Sequence, residues 1–380
     1  MSNHQIRIAV LGLGNRARYV VANLLKEADG RVKIVAVYEP DENIAAETLK
    51  KWNAEDAMQC KNYQEAIEAD GVEWVMVFSP NAHHKEQVVH AFNFKRNVFS
   101  EKPLATSIDD CVAINEAHKQ SGCMFATGFV ARYSRLYEKA KEILSSGILG
   151  KIILVEGNEH IRPDHGGYIM CNWRRHSSMA GPHILEKCCH DLDLIEFLIE
   201  SLPENVMAFG GRNFFLPENG GLLEKYGKDT FMTWWDPHRT STPFTSDTDL
   251  MDNLVSIAEF RNHVRVSFNY TMSNIMPERR LSFFCSEGNL KLDLYARKIS
   301  WRTLGEPAEH TLEFPDLDGH GGGDEIIMRE LFETMTRHTP PRCSGKEGLR
   351  SAVYAMAIDK AATTGKPVNL ASVWKQLGED

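Results

Sequence analysis

The segment Ile6-Arg7-Ile8-Ala9-Val10-Leu11-Gly12-Leu13-Gly14-Asn15-Arg16-Ala17 holds a short apolar run followed by the spacing G-x-G-x-x-A. The run is too continuous for a half-exposed strand and suits a parallel strand covered on both faces. Beyond Asn15, the residues Val20, Val21, Leu24 and Leu25 recur near helical spacing, so the turn opens into an amphipathic helix. Glycines between a strand and a helix permit a tight turn and close approach of backbone to a pyrophosphate, which then sits on the helix N-terminus. Ala17 in the third position is an accepted variant of that fingerprint.

Working outward, three further strand-like runs end in polar residues. Val32–Tyr38 is followed by Glu39, Glu73–Phe78 by Ser79-Pro80-Asn81, and Asn97–Ser100 by Glu101-Lys102-Pro103. In an open parallel sheet the ligand crevice lies outside the carboxyl ends of the strands, so these four loops address one crevice. Gly12, Gly14, Asn15, Arg16, Ala17, Glu39, Ser79, Pro80, Asn81, His84, Glu101 and Lys102 are therefore the candidate cofactor-binding residues. Glu39 can accept both ribose hydroxyls and would repel a 2′-phosphate, which favours NAD over NADP. Arg16 and Arg18 keep the NADP option open, since either could pair with a phosphate.

Composition narrows the class. A chain of 380 residues suggests two domains, and 43% hydrophobic with 25% charged residues is ordinary for a globular protein. The net charge of −9 leaves no basic stripe for nucleic acid. No apolar run reaches the length of a membrane span, and Met1–Gln5 leaves little room for a leader, so the cytoplasm is the expected compartment. The eight cysteines (Cys60, Cys111, Cys123, Cys171, Cys188, Cys189, Cys285 and Cys343) form no C-x-x-C pair, which suits reduced thiols and gives zinc little support. No metal is expected.

Residues 1–128 read as the dinucleotide-binding domain and 129–380 as a substrate-binding and oligomerisation domain. Helices are expected over Asp109–His118 and Leu136–Leu144. From Lys151 the texture changes to short runs: Ile152–Glu156, Val206–Gly210, Leu254–Phe260, Val264–Thr271, Leu281–Cys285 and Leu290–Leu294. Hairpins are predicted at Phe260/Val264 and Cys285/Leu290, giving a mostly antiparallel sheet. Two late helices span about Asp324–Thr336 and Lys346–Thr364. Residues 211–250 show no period. The aromatic stretch Phe214–Trp235 is expected to border a substrate cleft rather than a core, with a subunit-contact loop as the alternative.

Two constellations carry candidate chemistry. Lys102 stands past a strand end between Glu101 and Pro103, where a partly dry lysine can relay a proton and the neighbouring carboxylate can orient it. In Pro182–Glu200, the residues Leu185, Cys188, Leu192, Ile195 and Ile199 form one helical stripe. Glu186, His190 and Asp193 fall opposite. An imidazole between carboxylates suits a general base, while periodicity alone favours an ordinary solvent face. A metal site from His183, His190 and nearby acids is weaker, because the two histidines stand roughly 10 Å apart along a helix axis.

These residues resemble the glucose–fructose oxidoreductase/inositol dehydrogenase/rhizopine-catabolism (Gfo/Idh/MocA) family. The likeness rests on Gly12–Ala17, Ser-Pro-Asn-x-x-His at Ser79–His84, Glu-Lys-Pro at Glu101–Pro103, and the motif from Gly181 to His190. It implies an α/β chain: an N-terminal Rossmann domain with a doubly wound parallel sheet, then an α+β domain whose large, mainly antiparallel open sheet often forms a subunit interface. It also implies that Lys102 and His190 are catalytic, with Glu186 where aspartate is usual. Substrates would be sugars, amino-sugars or cyclitols, and the chain a homo-oligomer, dimer or tetramer. Arg132, Arg174 and Trp235 are further candidate substrate contacts. His320 joins them from a glycine loop in which Asp324 is expected to cap the next helix. Two other readings stay open here: a glycosidase that retains NAD and oxidises its substrate transiently, and a non-catalytic dinucleotide-binding sensor.

Overall fold

The computed structural model describes residues 5–233, 241–315 and 322–379. The chain forms two compact units. The first holds Met1–Tyr133 and Gly322–Ala352, the second Ser134–Gly321 and Val353–Asp380. A boundary at residue 128 thus sits near the end of the first stretch, but a late segment returns to the first unit. Only a three-dimensional contact could reveal that return.

The first unit is built on six parallel strands: β1 (Ile6–Leu11), β2 (Val32–Tyr38), β3 (Met58–Gln59), β4 (Trp74–Val77), β5 (Asn97–Ser100) and β6 (Phe125–Thr127). Between them run α1 (Asn15–Ala28), α2 (Glu42–Lys51), α3 (Tyr63–Glu68), α4 (His84–Asn93) and α5 (Ile108–Ser121). The strand order is β3-β2-β1-β4-β5-β6. The order reverses between β1 and β4, and such a switch point opens a crevice at the carboxyl ends of those two strands. All but Arg7 in β1 and every residue of β4 are buried, as continuous apolar runs covered on both faces require. Asp41, Asn62 and Ser107 cap α2, α3 and α5 through their side chains, whereas α1 follows Gly14 with no side-chain cap.

The second unit opens with α6 (Arg135–Ser145), β7 (Ile152–His160), α7 (Pro163–Cys171), α8 (Ser177–Ala180), α9 (His183–Glu186) and α10 (Cys189–Ile199). It continues through β8 (Pro203–Gly211), α11 (Leu222–Tyr226), α12 (Asp229–Met232), β9 (Asn253–Phe260), β10 (Arg265–Thr271), β11 (Glu278–Cys285), β12 (Gly288–Asp293), β13 (Lys298–Thr303) and β14 (His310–Glu313). The returning helix α13 (Gly323–Arg337) belongs to the first unit. Helix α14 (Gly345–Thr364) is shared between the units, and β15 (Val368–Asn369) and α15 (Ala371–Leu377) close the chain. The nine-stranded sheet runs β14-β13-β12-β11-β7-β10-β9-β8-β15 and is antiparallel except for the β7–β10 pair. Both hairpins form, the second with a tighter turn than expected: Phe260 N–H donates to the Val264 carbonyl at 2.9 Å, while Leu290 pairs with Phe283 rather than Cys285 and Asn289 with Phe284.

Two expectations change. Pro182–Glu200 is not one helix, because α9 ends at Glu186 and α10 begins at Cys189. Nor does this segment carry a solvent face: Glu186, His190 and Asp193 are all buried, as are Leu192 and Ile195. The second change concerns the aromatic stretch. Phe215, Phe231 and Phe244 are buried, and their rings pack with that of Phe214 at centroid distances of 5.0 to 6.2 Å. The described part of this stretch is therefore a small aromatic core rather than a cleft border. Asp252 holds its start by accepting hydrogen bonds from the N–H groups of Asn213, Phe214 and Phe215 at 3.0, 2.8 and 2.8 Å. The sequence shows no period because the packing joins a loop to Phe244 and Asp252 rather than one face of an element.

Candidate cofactor and catalytic sites

In the first unit the glycine turn sits at the switch point. Gly12 adopts φ +79°, and a Cβ there would lie 2.7 Å from the amide nitrogen of Ser79, so the loops after β1 and β4 touch only because Gly12 lacks a side chain. A Cβ on Gly14 would meet nothing within 4 Å. Open space over Gly14 and an uncapped α1 N-terminus together suit a pyrophosphate. Glu39 turns back to this loop: its Oε2 accepts the Leu13 N–H at 2.8 Å and its Oε1 the Asp41 N–H at 3.3 Å. A carboxylate has further lone pairs, so these bonds leave capacity for ribose hydroxyls.

The two arginines that kept NADP open are engaged elsewhere. Arg16 Nε donates to Glu101 Oε1 and its second nitrogen to Asp324 Oδ1, both at 2.7 Å. Arg18 Nε donates to Thr48 Oγ1 at 2.9 Å, with Glu47 3.6 Å from its guanidinium. Asp324 lies inside the first turn of α13, behind Gly322, so it is an ion-pair partner rather than the expected cap.

The Ser79–His84 and Glu101–Pro103 loops are tied by a buried imidazole. His84 Nδ1 lies 2.7 Å from the Pro103 carbonyl and Nε2 2.8 Å from the Ser79 carbonyl. Burial pushes the His84 pKa down, against the pull of those two carbonyls, so the ring is held neutral and donates to one of them at a time. Ser79 Oγ donates to Gln87 at 2.7 Å, and Asn81 is buried in a short 3₁₀ turn. Glu101 Oε2 accepts the backbone N–H of Lys102 at 3.1 Å, so this carboxylate orients the lysine's backbone. Arg132 sits in a 3₁₀ turn, Val130–Tyr133, beyond β6.

In the second unit, Arg174 Nε donates to Glu186 Oε1 at 2.8 Å, and its guanidinium stacks 4.3 Å from the Trp173 ring. Glu186 and His190, expected to meet across one helical turn, stand on either side of the break between α9 and α10, and Glu186 pairs with Arg174. Around these residues lies a charged network that sequence reasoning missed. Arg279 donates to both oxygens of Asp191, at 2.7 and 3.0 Å, and stands 3.8 Å from Glu159, while Lys187 Nζ is 3.7 Å from Glu159. Burial works to raise the pKa of Glu159, but Lys187 and Arg279 overcome it and hold the carboxyl below its usual range. His165 is pushed down to about 3, first by burial and then by the Lys187 ammonium. Glu159 and Arg279 pair in register on β7 and β11, which no local pattern reveals.

Trp235 and His320 lie outside the described residues, as does Trp234. Among the described residues there is no group of three side chains able to hold a metal ion, and no helix long and apolar enough to cross a membrane.

The switch-point turn, the acidic residue after β2 and the nine-stranded open sheet define an α/β protein with a dinucleotide-binding Rossmann sheet. The chain belongs to the Gfo/Idh/MocA oxidoreductase family: residues 6–129 match its NAD-binding Rossmann-fold domain and 141–370 its C-terminal α/β domain. It is similar to YteT of Bacillus subtilis strain 168, at 21% identity over 97% of this chain and 98% of that one. It is also similar to the NAD(+)-dependent scyllo-inositol 2-dehydrogenase of the same organism, at 28% identity over 59% of this chain and 61% of the relative. Among solved structures, levoglucosan dehydrogenase in complex with NADH and L-sorbose shares the fold. Its TM-score is 0.80 at 16% identity, over 97% of this chain and 100% of that one.

Proposed function

We propose that the protein transfers a hydride between NAD and a hydroxyl or keto group of a sugar, amino-sugar or cyclitol. The observation that carries this reading is the glycine turn with open space over Gly14, in the same unit as a Lys102 whose backbone is fixed by Glu101. The names of the inositol and levoglucosan dehydrogenases support the substrate class.

On this reading the Gly12–Ala17 turn and the α1 N-terminus hold the pyrophosphate and Glu39 the adenosine ribose. The Ser79–Asn81 loop borders the nicotinamide. When bound, the nicotinamide supplies the hydride acceptor or donor. Lys102 donates a hydrogen bond to the reacting oxygen, and His190 takes the hydroxyl proton at a ring nitrogen during oxidation. Glu186, held by Arg174, orients substrate hydroxyls. The test is a panel of sugars and cyclitols with NAD, read by NADH absorbance beside calorimetric NAD binding. NADH formation with one class supports the reading. Turnover of a glycoside with no net NADH, or NAD binding without turnover of any panel member, overturns it.

A homo-oligomer formed through the open face of the nine-stranded sheet fits the same reading. Phe209, Val255 and Ile257, exposed at 70, 58 and 60%, stand on one face, because Phe209 pairs with Val255 and side chains two apart share a face. Light scattering of Ile257→Asp checks it: an unchanged mass breaks the proposal. A cytoplasmic location accords with all eight cysteines being thiols.

A further inference from the structure

We propose that Arg16 is a positioning residue that locks the glycine turn to the backbone of Lys102, rather than a ligand of the cofactor's phosphates. The inference rests on the proposed role of Lys102 and deepens it. Arg16 stands in the turn at the start of α1, and its guanidinium bridges two buried carboxylates at 2.7 Å each. One is Glu101, whose other oxygen accepts the Lys102 N–H. The second is Asp324, from the returning helix α13. A rigid path thus runs from Asp324 through Arg16 and Glu101 to the lysine backbone.

Two glycines support the bridge. A Cβ on Gly128 would lie 2.7 to 2.8 Å from the carboxylate atoms of Glu101, so the strand end after β6 leaves room for that carboxylate only as glycine. A Cβ on Gly323 would lie 2.0 Å from the Val130 carbonyl oxygen, which brings the start of α13 flush against the turn after β6. Burial alone would weaken the Arg16 charge, but Glu101 and Asp324 more than offset it and the guanidinium stays firmly protonated. An arginine is the side chain suited to this place, because its planar fork can meet two carboxylates at fixed angles where an ammonium cannot. With Nε committed to Glu101 and one terminal nitrogen to Asp324, Arg16 acts on the chemistry through Glu101.

Misplacing a reacting group by about 1 Å can cost about a hundredfold in rate. Arg16→Met is therefore expected to lower kcat about 10- to 100-fold, with the KM for substrate and the calorimetric Kd for NAD each changing less than about threefold. Arg16→Lys should recover part of kcat, and Asp324→Asn should lower it by a smaller factor. Thermal melting accompanies each variant. If Arg16→Met does not fold, Arg16→Lys and Asp324→Asn carry the test through the same split between kcat and Kd. A tenfold weaker NAD Kd with kcat preserved at saturating NAD makes Arg16 a cofactor ligand and overturns the proposal. So does an unchanged kcat in folded Arg16→Met or, where that variant fails, in both others. Lys102→Met is measured in parallel: if it keeps normal turnover, the reading of Lys102 fails, a result separate from an inert Arg16→Met beside an inactive Lys102→Met.

Discussion

The two units assemble their polar groups by different rules. In the first, Gly12, Glu39, Ser79, His84, Glu101 and Lys102 all follow strand ends, and their partners are mostly backbone groups of adjacent loops: Leu13, Ser79, Pro103 and Lys102 itself. In the second, Glu159, Lys187, Asp191 and Arg279 are side chains meeting side chains, drawn from β7, the break between α9 and α10, α10 itself and β11. A site made from loops at the edge of a sheet is a property of contiguous motifs. A buried ion network across a sheet depends on strand register, and its cost and benefit are both large.

That contrast can be broken by substitution, and the largest effect should come from the reacting groups of either unit. Lys102→Met and His190→Ala are each expected to reduce turnover about 10²- to 10⁴-fold, the usual contribution of a positioned acid or base, with unfolding midpoints near wild type. In His190→Ala the acid limb of the kcat/KM profile should flatten. A retained limb would move the base role away from His190.

Next comes Arg279→Met. It leaves Glu159 and Asp191 buried without their shared cation, and breaking such a pair typically costs about 3–5 kcal/mol. Urea unfolding measures it, and a loss under about 1 kcal/mol would mean the network is no more than the surface pairs are. Glu39→Ala acts on a smaller scale. It should narrow the preference for NAD over NADP by about tenfold, equivalent to about 1.4 kcal/mol, in paired calorimetric titrations. An unchanged ratio would show that the carboxylate serves only Leu13 and Asp41.

The smallest effect is one of pH. Because burial depresses the His84 pKa, the folded protein resists a proton that the unfolded chain takes up near 6.5. Stability from the neutral ring is therefore complete above that value and is lost progressively as pH falls from it toward the lower folded-state value. Urea midpoints at successively lower pH should decline more steeply for wild type than for His84→Gln. Parallel declines would show that His84 does not govern the acid response.

Strand ends and glycine spacing made the first unit legible. The runs Ile6–Leu11, Val32–Tyr38 and Asn97–Ser100 have the bounds of β1, β2 and β5 because parallel strands buried on both faces are uninterrupted apolar runs. The positions of Lys102, Glu39 and the glycine turn followed from the same pattern. The helical stripe of Pro182–Glu200 misled, because a segment buried all round has no polar face for periodicity to report. The aromatic core of Phe214, Phe215, Phe231 and Phe244 was read as a cleft border for a related reason: loop packing has no period.

From sequence alone came the α/β class, the family and the loops proposed to face the cofactor, since each depends on neighbouring residues sharing a strand end or turn. Tertiary structure alone decided that Arg16 meets Glu101 and Asp324, that 322–352 return to the first unit, and that Arg279 stands between Glu159 and Asp191. These are choices among partners tens to hundreds of residues apart. Long-range packing and the exclusion of water select among them, and no local spacing encodes either.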